Sequence, residues 1–153
     1  MTDLWLARHG DAVPAEVDPE RPLSHGGAAG IAAAAAALSG RMPTFDLVAS
    51  SGKRRARQTA EILGAAAGYP ADRIVDTEAL GPNAPAESFA AFLEASGAAG
   101  SILCVGHLPS LADFASFFLT SGDPLRLEFG PGTVCRIRLQ ALRRGCGELI
   151  MFF

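Results

Sequence analysis

Two histidines in this chain stand in equivalent surroundings. His9 lies in Arg8-His9-Gly10, directly after the apolar run Leu4-Trp5-Leu6-Ala7, and His107 follows Ile102-Leu103-Cys104-Val105-Gly106. Apolar runs of this length read as buried strands, so both imidazoles fall at strand carboxyl ends, the edge where open α/β sheets bind ligands. A histidine alone in such a place is usually structural. Two in the same slot point to chemistry. A neutral imidazole nitrogen is nucleophilic near pH 7 and can attack phosphorus, and the phosphoramidate it forms is reactive enough to be hydrolysed. The phosphoryl group in transfer carries charge on its equatorial oxygens, so the rest of such a site is positioning and fixed positive charge. Arg8 adjoins one histidine. Arg55 begins a helix directly after a strand, where unpaired backbone amides also favour an anion, and Pro109 opens another such helix just after His107. These residues make a phosphate pocket in which no step calls for a cofactor. The histidines have none of the usual metal-ligand spacings, so no metal site is expected.

The bulk properties narrow the setting. A chain of 153 residues fits one domain, 1–153, large enough to bury a core without staples. The formal charge of −3 and pI near 5.5 supply no global field for nucleic acid, so an anion site must be made locally. Lys53, Arg54, Arg55 and Arg57 form the dense basic cluster, and apart from Arg55 they read as a solvated helix face. Three cysteines, Cys104, Cys135 and Cys146, show no paired spacing and argue against a disulfide framework, which suits the cytoplasm. The N-terminus runs straight into a strand without a signal-peptide pattern or a membrane span. The oligomeric state is left open.

The elements that must hold these residues alternate. Leu4–Ala7 is a strand. Ser24 caps an alanine-rich helix from Ala28 to Leu38 that stops at Gly40. A second strand, Phe45–Ala49, leads to a helix from about Lys53 to Ala67, with Thr59, Ile62, Leu63 and Ala66 at helical spacing and Gly68 as its stop. A short strand at Arg73–Val75, a loop around Gly81–Pro85 and a helix marked by Phe89, Phe92 and Leu93 precede the strand Ser101–Val105. Leu111, Phe114, Ala115, Phe118 and Leu119 then recur with the period of an amphipathic helix whose aromatic stripe belongs to the core. Thr133–Leu139 and Glu148–Phe153 read as a terminal hairpin. Strands alternating with helices argue for a helix-flanked α/β sheet, largely parallel with an antiparallel edge.

Arg8-His9-Gly10-Asp11-Ala12 resembles the signature of the histidine phosphatase superfamily, whose fold is shared with phosphoglycerate mutases and acid phosphatases. Arg21-Pro22-Leu23-Ser24 with Gly26 or Gly27 is similar to its R-P-L-T-x-x-G segment. Ser51 to Ala60 resembles S-P-x-x-R-A-x-Q-T-A, and Gly106-His107-Leu108-Pro109 resembles G-H-x-P. The short length and Arg-His-Gly-Asp-Ala are most similar to SixA-type phosphohistidine phosphatases. The resemblance runs from Leu4 to about Leu119 in the right order. It implies a three-layer, phosphoglycerate mutase-like fold, a mostly parallel sheet with helices on both faces. It also implies His9 as the phosphorylated nucleophile, with Arg8, Arg55 and His107 binding the phosphoryl group. The register singles out Arg55, which alone of the basic cluster precedes Ala56-x-Gln58-Thr59-Ala60. Gly52 stands where the family has proline, a change expected to loosen the turn.

Many superfamily members carry a glutamate that protonates an ester leaving group. Here Glu78 is the possible general acid, with Glu87 and Asp11 as weaker candidates, all of which also fit solvated carboxylates. SixA-type enzymes resemble this chain in lacking a clear acid, and His25 reads as a solvated residue where a helix begins. The leading expectation is therefore a cytoplasmic hydrolase of phosphohistidine in proteins, acting without a cofactor through a phosphohistidine intermediate. Its partner would be a phosphorylated protein or a small phosphate ester, not nucleic acid and not a membrane. A phosphomonoesterase for a small metabolite and a phosphate-binding module without turnover are the alternatives.

Overall fold

The computed structural model describes residues 1–97 and 99–153, and among these a six-stranded sheet carries the fold. Its strands are β1 (Thr2–Arg8), β2 (Leu47–Ser50), β3 (Val75–Asp76), β4 (Gly100–Gly106), β5 (Val134–Leu139) and β6 (Gly147–Phe152), in the spatial order β3-β2-β4-β1-β5-β6. The pairs β3–β2, β2–β4 and β4–β1 are parallel, while β5 runs antiparallel to β1 and β6 antiparallel to β5. The helices are α1 (His25–Ala37), α2 (Arg54–Ala66), α3 (Ala86–Ser96) and α4 (Ser110–Leu119).

The central strands are apolar throughout because each feeds two cores. Leu4, Leu6, Ile102 and Cys104 pack with Phe89, Leu93, Phe114 and Phe118 of α3 and α4, whereas Trp5, Ala7, Leu103 and Val105 pack with Ile31, Ala56, Ala60 and Leu63 of α1 and α2. This is the pattern of a parallel sheet covered on both faces. The Phe89 and Phe114 rings stack at 4.3 Å. The alanine-rich α1 buries one position per turn, Gly27, Ile31 and Ala35, followed by Leu38 at its end, and the Ser24 Oγ accepts from the Gly27 N–H at 2.9 Å. Capping and intrinsic propensity, more than packing, hold such a helix.

The elements differ from the sequence reading in several places, and α1 begins at His25 rather than Ala28. The inner face of α2 is Ala56, Thr59, Ala60 and Leu63, while Ile62 is half-buried and Ala66 exposed; alanine on every face left the phase of the stripe undetermined, and the small Ala56 and Ala60 let the helix lie close to the sheet. Phe45 is buried and meets Trp5 edge-on at 5.9 Å, yet the strand begins only at Leu47, because Asp46 turns its carboxylate to the Ser101 N–H at 2.8 Å. Arg73 lies in a 3-10 turn, Ala71–Arg73, and β3 is only Val75–Asp76 at the sheet edge. Among the described residues no helix is long and apolar enough to cross a membrane.

The connections diverge at the centre. From β1 the chain crosses through α1 to β2, and from β4 it crosses through α4, on the other face, to β5. A crevice forms outside the carboxyl ends of two adjacent strands whose connections part in this way. Both histidines follow those ends.

Candidate active site

The register of β1 and β4 puts Arg8 opposite Gly106, so the next residues, His9 and His107, emerge side by side. The His9 N–H donates to the Gly106 carbonyl at 3.2 Å, and the two rings lie 4.8 Å apart at a tilt of 54°. The His9 Nδ1 sits 2.7 Å from the Gly10 carbonyl. A carbonyl only accepts, so this bond places the proton on Nδ1 and leaves the lone pair on Nε2. On the other flank of β4, Ser50 of β2 faces Val105, and the following Ser51 brings its Oγ within 2.7 Å of the His107 Nε2.

Cations surround the pair. Arg8 Nη1 donates to the Phe129 carbonyl at 2.9 Å, and the Arg8 backbone bonds Gly132 and Thr133, so the loop leading into β5 fixes this side chain from behind. Arg55, in the first turn of α2, has a buried Nε without a hydrogen-bond partner, and no carboxylate among the described residues pairs with it. Thr59 joins its helix to the nucleophile loop, its Oγ1 donating to the Arg55 carbonyl at 2.8 Å and accepting from the Gly10 N–H at 3.1 Å. Thr59 and Ser51 are site residues that sequence reasoning did not single out. The signal for Ser51 was a hydroxyl directly after a strand end, while Thr59 passed for an ordinary inward position of α2.

Burial, reinforced by the charges of Arg55, Arg8 and Arg21, pushes the His9 pKa below its ordinary value, against the opposing effect of the Gly10 bond. Burial, with the charges of His9, Arg55, Lys53 and Arg8, pushes His107 down to about 3. Both imidazoles are therefore neutral near pH 7. For a nucleophile that is the competent form. Burial and then Arg21 lower Arg55, which stays cationic at any ordinary pH.

The turn that presents Ser51 is tied, not loosened. Gly52 has φ +85°, which proline cannot adopt. Its N–H donates to the Ser50 Oγ at 3.1 Å, and that hydroxyl donates to Asp76 Oδ1 at 2.5 Å. Of the two glycines after Ser24, Gly27 is the constrained one, since a Cβ there would collide with the Asp11 carbonyl, while Gly26 faces open space.

The remaining candidates separate. Lys53 and Arg54 are exposed, Arg54 pairing with Glu20 at 3.0 Å. Arg57 departs from the expected solvated face, binding Glu61 and Asp76 and donating to the carbonyls of Ala71 and Ile74. Glu87 pairs with Arg144 at 3.4 Å. Glu78 is exposed at the start of a 3-10 turn, Glu78–Leu80, and Asp11 and His25 are also exposed. Among the described residues no group of three or more His, Cys, Asp or Glu is placed to hold a metal ion.

Residues 4–80 match the sequence model of the histidine phosphatase superfamily (branch 1). No curated protein sequence matches the chain. Among solved structures, the chain is similar to the protein histidine phosphatase SixA complexed with tungstate, at TM-score 0.85 and 25% identity over 99% of this chain and 96% of that one. It is similar also to a putative phosphohistidine phosphatase SixA from Nakamurella multipartitia, at TM-score 0.81 and 27% identity over 99% and 95%. A mycobacterial glucosyl-3-phosphoglycerate phosphatase shares the fold, at TM-score 0.72 and 21% identity over 96% of each chain.

Proposed function

From the premise that this chain belongs to the histidine phosphatase superfamily, we propose that it hydrolyses phosphohistidine in proteins through a phosphohistidine formed on its own His9. The observation that carries this reading is the lone pair of the His9 Nε2 beside a second neutral histidine and an unpaired Arg55.

In this mechanism His9 Nε2 attacks phosphorus. A nitrogen–phosphorus bond forms to His9 as the bond to the substrate imidazole breaks, and that imidazole leaves with a proton it can already hold near neutral pH. Arg8 and Arg55 hold the phosphoryl oxygens as charge moves onto them. The arriving anion reverses the field at His107 and favours its protonated form, which adds a third positive contact. Water then attacks phosphorus, releasing inorganic phosphate and restoring His9.

An alkoxide would need an acid to leave, an assistance worth roughly 10²–10⁴-fold. Glu78 and Asp11 are exposed and Glu87 is committed to Arg144, which favours nitrogen over alkyl-oxygen leaving groups. The likeness to SixA structures over nearly the whole of both chains supports a protein substrate. Three free cysteines suit a reducing compartment such as the cytoplasm.

The test is a rate comparison with equal concentrations of a histidine-phosphorylated protein, phosphoserine and a sugar phosphate. The protein should turn over at least a hundredfold faster than either ester, following the missing acid assistance. Sugar phosphate turnover as fast as that of the protein would replace this reading with the small-metabolite phosphomonoesterase.

A further inference from the structure

A cleft of about 680 Å³ opens beside the active site, between the start of α2 and the loop that carries Pro19 and Glu20. Lys53, Arg54, Arg55 and Gln58 line it from α2 and the turn before it. Arg55 is the residue this cleft shares with the phosphoryl pocket. Lys53 is tied to the same pocket through its backbone, since its N–H donates at 3.3 Å to the Ser51 Oγ, the hydroxyl that lies 2.7 Å from the His107 Nε2. A group held by Lys53 is thus a near neighbour of the group transferred to His9.

The charges in the cleft do not balance. The cations Lys53, Arg54, Arg55 and Arg57 line it against the carboxylates of Glu20 and Glu61. Glu20 pairs with Arg54 at 3.0 Å and Glu61 with Arg57 at 3.2 Å, while no carboxylate among the described residues pairs with Lys53 or Arg55. Arg55 serves the phosphoryl group, which leaves the charge of Lys53 to be matched from outside. Lys53 is exposed and is the chain's single lysine. A compact ammonium on a flexible stem suits an acidic partner whose position the fold does not fix. In a protein of formal charge −3, a local excess of positive charge draws an acidic surface to this edge and sets its orientation there.

We propose that this cleft docks an acidic side chain of the phosphorylated protein, one close to its phosphohistidine, with Lys53 as the specificity-determining contact. The inference rests on the reading of the site as a phosphohistidine phosphatase and adds which phosphohistidines it prefers, namely those beside aspartate or glutamate. Arg54 is already bound to Glu20, so the selection by charge falls to Lys53.

The test compares two histidine-phosphorylated peptides, one with glutamates flanking the phosphohistidine and one with glutamines, and phosphoimidazole, which has no flanking groups. Wild type should favour the acidic peptide over the neutral one roughly two- to fivefold in kcat/KM, the scale of one partly exposed ion pair, with the difference in KM and shrinking as salt is raised. Lys53→Gln should erase the preference while leaving the neutral peptide and phosphoimidazole within about twofold of wild type, and Lys53→Glu should reverse it. In His9→Ala, which cannot turn the peptides over, bound acidic peptide should slow acetylation of the Lys53 amine, followed by mass spectrometry, and neutral peptide should not. Equal wild-type rates on the two peptides overturn the proposal, as does a Lys53→Gln loss shared equally by all three substrates. If wild type hydrolyses none of the three while the acidic peptide still shields Lys53, the hydrolase reading falls and the docking site stands; without the shielding, both fall.

Discussion

The His9 and His107 imidazoles lie 4.8 Å apart because Arg8 and Gly106 face each other in adjacent parallel strands. The pairing of two residues 98 positions apart is thus a consequence of strand register. Backbone register is stiff, so neither histidine needs a mobile loop to find the other, and the preorganisation that makes fixed dipoles and charges effective is supplied by the sheet itself.

Ser51 holds His107 through its Nε2. Ser51→Ala should lower kcat/KM about tenfold, the scale of one hydrogen bond, with little change in Tm. Steady-state kinetics beside a thermal melt checks both. A loss of a thousandfold would mean that the hydroxyl itself takes part in the chemistry.

The basic residues of α2 should divide by what each touches. Arg55→Ala should cost roughly 10²–10³ in kcat/KM, the scale for one preorganised donor at a transition state, and Arg54→Ala less than about tenfold, as for a steering charge. Arg57 joins α2 to residues 71–76, so Arg57→Ala should lower Tm while leaving kcat of the folded enzyme near wild type. Equal kinetic losses at all three positions would contradict this division.

The burial of His107 makes stability depend on pH. Its pKa falls from an ordinary 6.5 to about 3 on folding, so between those values the unfolded chain binds the extra proton. Stability from this group is therefore complete above pH 6.5 and is lost as pH falls toward 3. His107→Gln should show a smaller drop in Tm between pH 7.5 and pH 5 than wild type does. Equal drops in the two proteins would show that His107 is not held neutral.

Gly52→Pro restores the family residue but not the family turn. Proline cannot take φ +85° and has no N–H for Ser50, so the substitution should destabilise by more than about 1 kcal/mol, a fall in Tm of roughly 2–4 °C or more for a chain of this size. It should also weaken the presentation of Ser51 to His107. A more stable and fully active variant would show that the turn adapts.

The parts of this architecture that were legible in the sequence are those where one physical demand dictates residue type. Buried central strands must be apolar on both faces, which made β1 and β4 plain, and the period of Leu111, Phe114 and Phe118 marked α4. The phase of α2 was not legible, because alanine fits inward and outward positions alike. The reach of β3 was obscured for a different reason: a two-residue edge strand, both of whose residues are exposed, leaves no pattern of burial. Arg8, His9, Arg55 and His107 were each visible beside a strand end or a helix start. Their convergence, and the parts that Ser51 and Thr59 play in it, depend on strand register and on side-chain bonds between elements that neither periodicity nor composition records.

The central claim is a covalent phosphohistidine on His9, and the direct measurement is to trap it. The protein is mixed briefly with a histidine-phosphorylated substrate carrying labelled phosphate, denatured in alkali and mapped by peptide. The account predicts label on His9 that survives alkali and is released by acid, as for a phosphoramidate, with neither label nor turnover in His9→Ala because no neighbouring side chain replaces the imidazole. Label on a serine, or substantial hydrolysis by His9→Ala, would contradict it.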